Sequence, residues 1–195
     1  MFNSVLQTTS SLKSVCILFV TSHLVILLMM VFTFPVINNQ IGMKAFDLQT
    51  FGYSVAMAES IVNNLNAQTT DLYLFPQLML LDVLYPFLLA LFLSSFLFRL
   101  FLITKTKNKA NMVVLLVPFL GMGFDYLENI CIIVMISKSI APSESFVGLS
   151  SSFTVLKGIL TSMAWFTIVI YAFKWLLLKI NEKKNKQPLT KPTLH

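Results

Sequence analysis

The chain has 195 residues, 56% of them hydrophobic and 11% charged, with a mean hydropathy of +0.80. A soluble domain carries roughly 25% charged residues, so this chain cannot cover itself with polar surface, and lipid is its expected solvent. The net charge of +6 does not point to nucleic acid, because the basic residues stand at the ends of apolar runs, where they set membrane topology.

The first apolar run, Val15 to Val36, is too long for the apolar core of a signal peptide and lacks a small-x-small cleavage site. It reads as an uncleaved span of about 14–36. Three further runs follow, at about 74–102, 112–137 and 153–178. Each is long enough to cross about 30 Å of hydrocarbon. They are too continuous for barrel strands, and helices satisfy their own backbone hydrogen bonds in lipid. The fold expected is all-α: a four-helix transmembrane bundle forming a single membrane domain over residues 1–180. Residues 181–195, "NEKKNKQPLTKPTLH", are expected to be a disordered basic tail near anionic headgroups.

Lysine and arginine set the expected orientation. The N-terminus, the connection after the second span and the tail hold eleven of them, and the other two loops hold only Lys44 and Lys138. Both termini are therefore expected in the cytoplasm. The host is expected to be a cell (inner or plasma) membrane, with the endoplasmic reticulum as the alternative. The 37–73 loop is longer than a simple connection requires. Within it, "FDLQTFGYSVAMAESIVNNLN" places Phe51, Val55, Val62 and Leu65 near one helical face, and Ser54 can cap a helix over 55–65. One or two short helices at the outer interface are expected between the first two spans. Cys16 and Cys131 fall in opposite halves of their spans, whereas a disulfide needs Cα atoms within about 7 Å. Free thiols are expected.

Three of the eight acidic residues lie inside spans: Asp82, Asp125 and Glu128. A charge at mid-bilayer costs roughly 2.5–3.5 kcal/mol on insertion scales, so all three must be paired, protonated or wetted. In "FDYLENI", Asp125, Glu128 and Asn129 share a helix face at i, i+3 and i+4, with Pro118 and Gly121 on the same face. Asp82, Tyr85 and Pro86 form a stripe in the second span. Thr154, Lys157, Gly158 and Thr161 form one in the fourth, with Trp165 below. At 1.5 Å per residue the carboxylates come to one level, with Lys157 just above them. His23 falls nearer mid-membrane, where it is a packed polar residue rather than a ligand.

The expected site is one polar centre built from Asp82, Tyr85, Asp125, Glu128, Asn129, Lys157 and Thr161. Interhelical hydrogen bonding alone explains an Asn, but three acids with one lysine exceed what such bonding needs. For Lys157, a salt bridge to Glu128 or Asp82 stands against snorkelling to the interface. Arg99 and Lys174 read as boundary anchors. There is no His/Cys set at metal spacing, and no cofactor or metal site is expected.

The order of motifs resembles a group of small four-span bacterial-type membrane proteins of uncharacterised activity. The resemblance covers residues 40–175 and rests on Gly52-Tyr53, Tyr73-x8-Asp82-x3-Pro86, the intramembrane D-x-x-E-N of Asp125 to Asn129, and Thr154-x-x-Lys157. It implies no activity. In layout and in Asp82 the chain is also loosely similar to the EXPERA group, which includes sterol isomerases. No catalytic role is carried over, because the isomerases' aromatic and histidine arrangement is not evident here.

The function expected is binding of, or action on, a small lipophilic or lipid-like molecule in a buried acidic pocket. The alternatives are a proton- or cation-coupled transporter or channel subunit, which with four spans needs a homo-oligomer, and a non-catalytic assembly protein. The expected partners are the lipid bilayer and that lipophilic molecule.

Overall fold

The computed structural model describes residues 2–106 and 108–186. All regular structure in them is helical. Four stretches are long and apolar enough to cross a membrane: Leu12–Ile41, Ala67–Ile103, Asn111–Ile136 and Glu144–Lys184. The chain is a multi-pass membrane protein built as a four-helix bundle.

The helices begin and end where local chemistry dictates. A short amphipathic helix, α1 (Phe2–Thr9), precedes the first span. The first span starts as α2 (Leu12–Leu28), whose cap Ser11 accepts a hydrogen bond from the Ser14 N–H. It passes through a π-helical turn, Met29–Thr33, into α3 (Phe34–Ile41), which opens with Pro35. Gly42 ends it at φ +74°, a left-handed conformation that glycine adopts without steric cost. Ser54 caps α4 (Val55–Asn64) by accepting from the Met57 N–H, as the sequence predicts.

The second span opens with α5 (Ala67–Leu72), capped by Asn66. The helix breaks at Phe75, whose backbone is extended (φ −141°, ψ 126°), just before Pro76, resumes with π-type hydrogen bonding to Leu81 and continues as α6 (Asp82–Ile103). The third comprises α7 (Lys109–Val114) and α8 (Val117–Ile136), and the fourth is α9 (Glu144–Lys186).

Three of the helices extend beyond the apolar runs that hydropathy marks: the first to 41, the second from 67, with a break at Phe75, and the fourth from 144. Hydropathy marks apolar runs, whereas caps and prolines mark helix ends. The fourth helix also continues to Lys186, six residues into the segment expected to be disordered. The expectation for 187–195 falls outside the described residues.

Helix α6 is the centre of the bundle, packing against α1, α2, α8 and α9. Its small residues admit close neighbours: Ser94 donates to the Leu115 carbonyl at 2.9 Å, and Ser95 exchanges a hydrogen bond with Thr9 at 2.7 Å. Arg99 donates to the Ser10 carbonyl at 3.0 Å. It therefore fastens the end of α1 rather than serving only as a boundary anchor. The outer faces of the first and fourth spans remain apolar and uncovered, with Phe166, Val169, Ile170 and Phe173 all exposed. These are the faces that meet lipid.

Two separate apolar cores hold the bundle. One, at the end bearing the 42–66 segment, gathers Phe34, Ile37, Phe46, Tyr53, Ile61, Tyr73, Ile132 and Met135. The other, at the end bearing both termini, gathers Leu6, Leu93, Leu97, Phe98, Phe101, Leu115 and Ile168. The 42–66 segment is helical, as expected, and is packed against the ends of the spans through Phe46, Tyr53, Ile61 and Val62. Of the four residues placed on one face of it, Val62 is buried, but Phe51 is 96% exposed. Phe51 precedes the Ser54 cap, so it does not follow the helical spacing. Both cysteines are free, Cys16 exposed and Cys131 buried.

Candidate functional site

Between the two cores lies a cavity of about 420 Å³, lined by all four spans and by the 3-10 turn Phe46–Leu48. Its apolar walls come from Ile26, Met29 and Phe34 of the first span, Leu89 and Leu93 of the second, and Met122 of the third. Its polar lining is Asp47, Asp82, Tyr85, Asp125, Lys157, Thr161 and Ser162. Helix periodicity creates this lining. Asp82, Tyr85, Pro86 and Leu89 recur along one face of α6, and Pro118, Gly121, Met122 and Asp125 along one face of α8. Gly121 brings α8 close to α9, since a Cβ there would touch Thr161 Oγ1 at 3.4 Å and Leu160 Cβ at 3.5 Å.

Lys157 is the cation of the site. Its Nζ lies 2.5 Å from Asp125 Oδ1 and 2.6 Å from Glu128 Oε2. Thr154 Oγ1 donates to the other Glu128 oxygen at 2.5 Å. Glu128 is fully buried. Among the described residues it is satisfied by Lys157 and Thr154 alone. One lysine thus bridges two carboxylates one helical turn apart. Of the partners expected for Lys157, Glu128 is found, Asp125 replaces Asp82, and snorkelling is not what the side chain does.

Five of the seven expected residues line the cavity: Asp82, Tyr85, Asp125, Lys157 and Thr161. The other two do not. Glu128 sits behind Lys157, away from the opening. Asn129 turns to α6, donating to the Asp82 carbonyl at 3.3 Å. Being one position on from Glu128, it falls 100° around the helix and faces a different neighbour. His23 is also outside the cavity. Its Nδ1 is 2.8 Å from the Phe19 carbonyl, and its ring packs with Phe19, Phe92 and Trp165.

The acid that sequence reasoning missed is Asp47. The 3-10 turn carries it over the cavity, where Tyr73 fixes it. The Tyr73 hydroxyl accepts from the Phe46 N–H at 3.1 Å and donates to Asp47 Oδ2 at 2.5 Å. Asp47 and Asp82 line the same cavity. Two carboxylates in one buried enclosure repel unless a proton or a cation offsets them. Among the described residues, Asp47 Oδ1, Asp82 Oδ2 and Asp125 Oδ2 are buried with no hydrogen-bond partner. Such groups are costly unless satisfied. Hydropathy reads Asp47 as an ordinary loop residue. The available signal was its place between Gly42 and Gly52 in a loop too long to be a plain connection.

Gly52 and Tyr53 hold the turn in position. Gly52 has φ +86°, and a Cβ there would stand 2.3 Å from Ser151 Oγ. The Tyr53 N–H donates to that same Ser151 oxygen at 2.9 Å, and the Tyr53 hydroxyl shares a 2.6 Å hydrogen bond with Ser150. Burial pushes the Tyr53 phenol above its ordinary range, with the Ser150 hydrogen bond opposing. The same two residues that open the motif series in the sequence therefore clamp the loop to α9.

Comparison with protein families, with curated proteins and with solved structures finds no match.

Proposed function

We propose that the protein binds a small amphiphilic molecule, drawn from the bilayer, in the cavity between its four spans. The observation that carries this reading is the set of buried carboxyl oxygens without donors, Asp82 Oδ2 and Asp125 Oδ2, on residues lining a cavity whose remaining walls are largely apolar. Lys157 supplies one positive charge against the carboxyls of Asp47, Asp82, Asp125 and Glu128. A ligand head that brings a positive charge or several hydrogen-bond donors offsets the remainder. A lipophilic body suits the walls. The volume falls within the roughly 300–1,000 Å³ typical of small-molecule sites. Met30, at the rim, is 48% exposed on the lipid-facing side of the first span, which favours access from the bilayer.

With Lys157 engaged by Asp125 and Glu128, Asp82 and Asp47 are the groups free to handle the ligand's charge or proton. Tyr85 and Thr161 orient the head by hydrogen bonds. The lysine and arginine distribution supports cytoplasmic termini, an orientation in which the cavity faces the opposite leaflet of a cell membrane.

Gly158 offers a direct test. It lines the cavity, and a Cβ there meets nothing within 4 Å. Gly158→Leu projects an apolar side chain into the cavity from a position where its Cβ has room. It should abolish co-purification of a bound molecule while leaving the fold intact. Retention of the same molecule at the same level contradicts the reading.

A further inference from the structure

A second site lies at the other end of the bundle, and it is independent of the acidic cavity. The last turn of α6 and the C-terminal part of α9 leave a cleft of about 360 Å³ between them. Ile103 and Leu178 give it an apolar floor, and Lys105, Trp175, Lys179 and Glu182 form its rim. Lys105 has φ +52°. This left-handed residue turns the chain off α6 and brings Lys105 beside α9 rather than out along the α6 axis. The Lys179 ammonium lies 5.1 Å from the centre of the Trp175 ring. Among the described residues, neither Lys105 nor Lys179 is ion-paired with a carboxylate, although Glu182 stands one turn from Lys179.

The level of the cleft is fixed by its neighbours. Ile103 is the last residue of the second span. Trp175 is of the amphipathic type that settles at the membrane–water boundary. The cleft therefore lies at the end of the second span, on the level expected for lipid headgroups, and its two lysines outnumber the one carboxylate, Glu182, on its rim. We propose that it is a binding site for an anionic glycerophospholipid. Lys105 and Lys179 hold the phosphate, Trp175 packs against the glycerol region, and the first part of an acyl chain lies on Ile103 and Leu178. Basic groups near a bilayer surface attract anionic lipid through the phosphate charge, and the tryptophan ring steadies Lys179 through its quadrupole.

Trp165 and Trp175 are the two tryptophans of the chain, so Trp165→Phe leaves Trp175 as the reporter. The full chain carrying that substitution is placed in nanodiscs of phosphatidylcholine with a minor fraction of either phosphatidylglycerol or phosphatidylcholine brominated on its acyl chains. Brominated phosphatidylglycerol should quench Trp175 as though enriched there on the order of fivefold. Adding K105Q and K179Q should make the two lipids quench equally. Both lysines are exposed, and unchanged helical circular dichroism confirms that the variant is folded. Equal quenching in the parent overturns the proposal, as does an excess that survives the double substitution. Reversal of the excess by millimolar glycerol phosphate assigns the site to a soluble phosphate and overturns the lipid as its occupant.

Discussion

Lys157 and Asp125 stand 32 residues apart in sequence and close an ion pair of 2.5 Å inside the bundle. The same ammonium reaches Glu128 at 2.6 Å. Removing the lysine leaves two buried carboxylates without a cation, and breaking such a pair costs about 3–5 kcal/mol. Lys157→Gln should therefore lower the thermal unfolding midpoint in mild detergent more than any other single change at the site. Adding Asp125→Asn and Glu128→Gln should restore most of the loss, because the uncompensated charges go with them. No rescue by the triple substitution would argue against a charge-based role.

Gly52→Ala should destabilise through two separate effects. An alanine at φ +86° costs roughly 1–3 kcal/mol in backbone strain, and its Cβ meets Ser151 Oγ at 2.3 Å. Ser151→Ala removes the clash but not the strain, and it also removes the acceptor of the Tyr53 N–H, so in a Ser151→Ala background Gly52→Ala should still cost the strain alone. No effect of Gly52→Ala on thermal unfolding in that background would show that the backbone conformation carries no cost.

Tyr53 makes alkaline stability a readout of the same clamp. Its phenol is raised by burial above the ordinary value of 10.0, so the folded state holds the proton more tightly than the unfolded state. Its contribution is fully present below about pH 10 and is lost as pH rises above that. Tyr53→Phe should cost about 1 kcal/mol at neutral pH for the lost hydrogen bond to Ser150. The gap between wild type and variant should narrow above pH 10. A gap of constant width across an alkaline titration would contradict the assignment.

Asp47→Asn tests the placing of two acids in one cavity. An amide keeps an acceptor for the Tyr73 hydroxyl, removes a like charge from the cavity that holds Asp82 and supplies a donor there. The variant should be at least as stable as wild type at neutral pH, by up to about 1 kcal/mol. Asp47→Ala, which strands the buried Tyr73 hydroxyl, should be less stable by about 1–3 kcal/mol. If both substitutions destabilise alike, the two carboxyls do not repel.

Much of this architecture is legible in the sequence, because the signals are strong where lipid is the solvent. Apolar runs of span length give the four helices, and i, i+3 spacing gives the faces that present Asp82, Tyr85 and Asp125 to one cavity. The Ser54 cap is equally readable, since its side chain acts on a neighbouring backbone N–H. The 1.5 Å rise per residue also brings Lys157 to the level of its acids. It does not resolve rotation about the helix, and so Asn129, which shares a face with Asp125 by spacing, contacts the Asp82 backbone instead of the cavity. Nor does it fold a loop: Asp47 joins Asp82 at the cavity through a turn anchored by the buried Phe46 and the Gly52–Tyr53 clamp. Local patterns carry no record of such long-range contacts. Helix α1 escaped for a similar reason. Its eight residues are held by Arg99 and Ser95 of a helix nearly ninety residues away.

The most direct test of the central claim is native mass spectrometry of the full chain extracted gently from its own membrane, comparing wild type with Gly158→Leu and Asp82→Asn. The account predicts a bound small molecule on wild type, its loss when Gly158→Leu fills the cavity, and reduced occupancy when Asp82→Asn removes an acid. A wild-type protein that carries no molecule, or one held equally by all three, would contradict it.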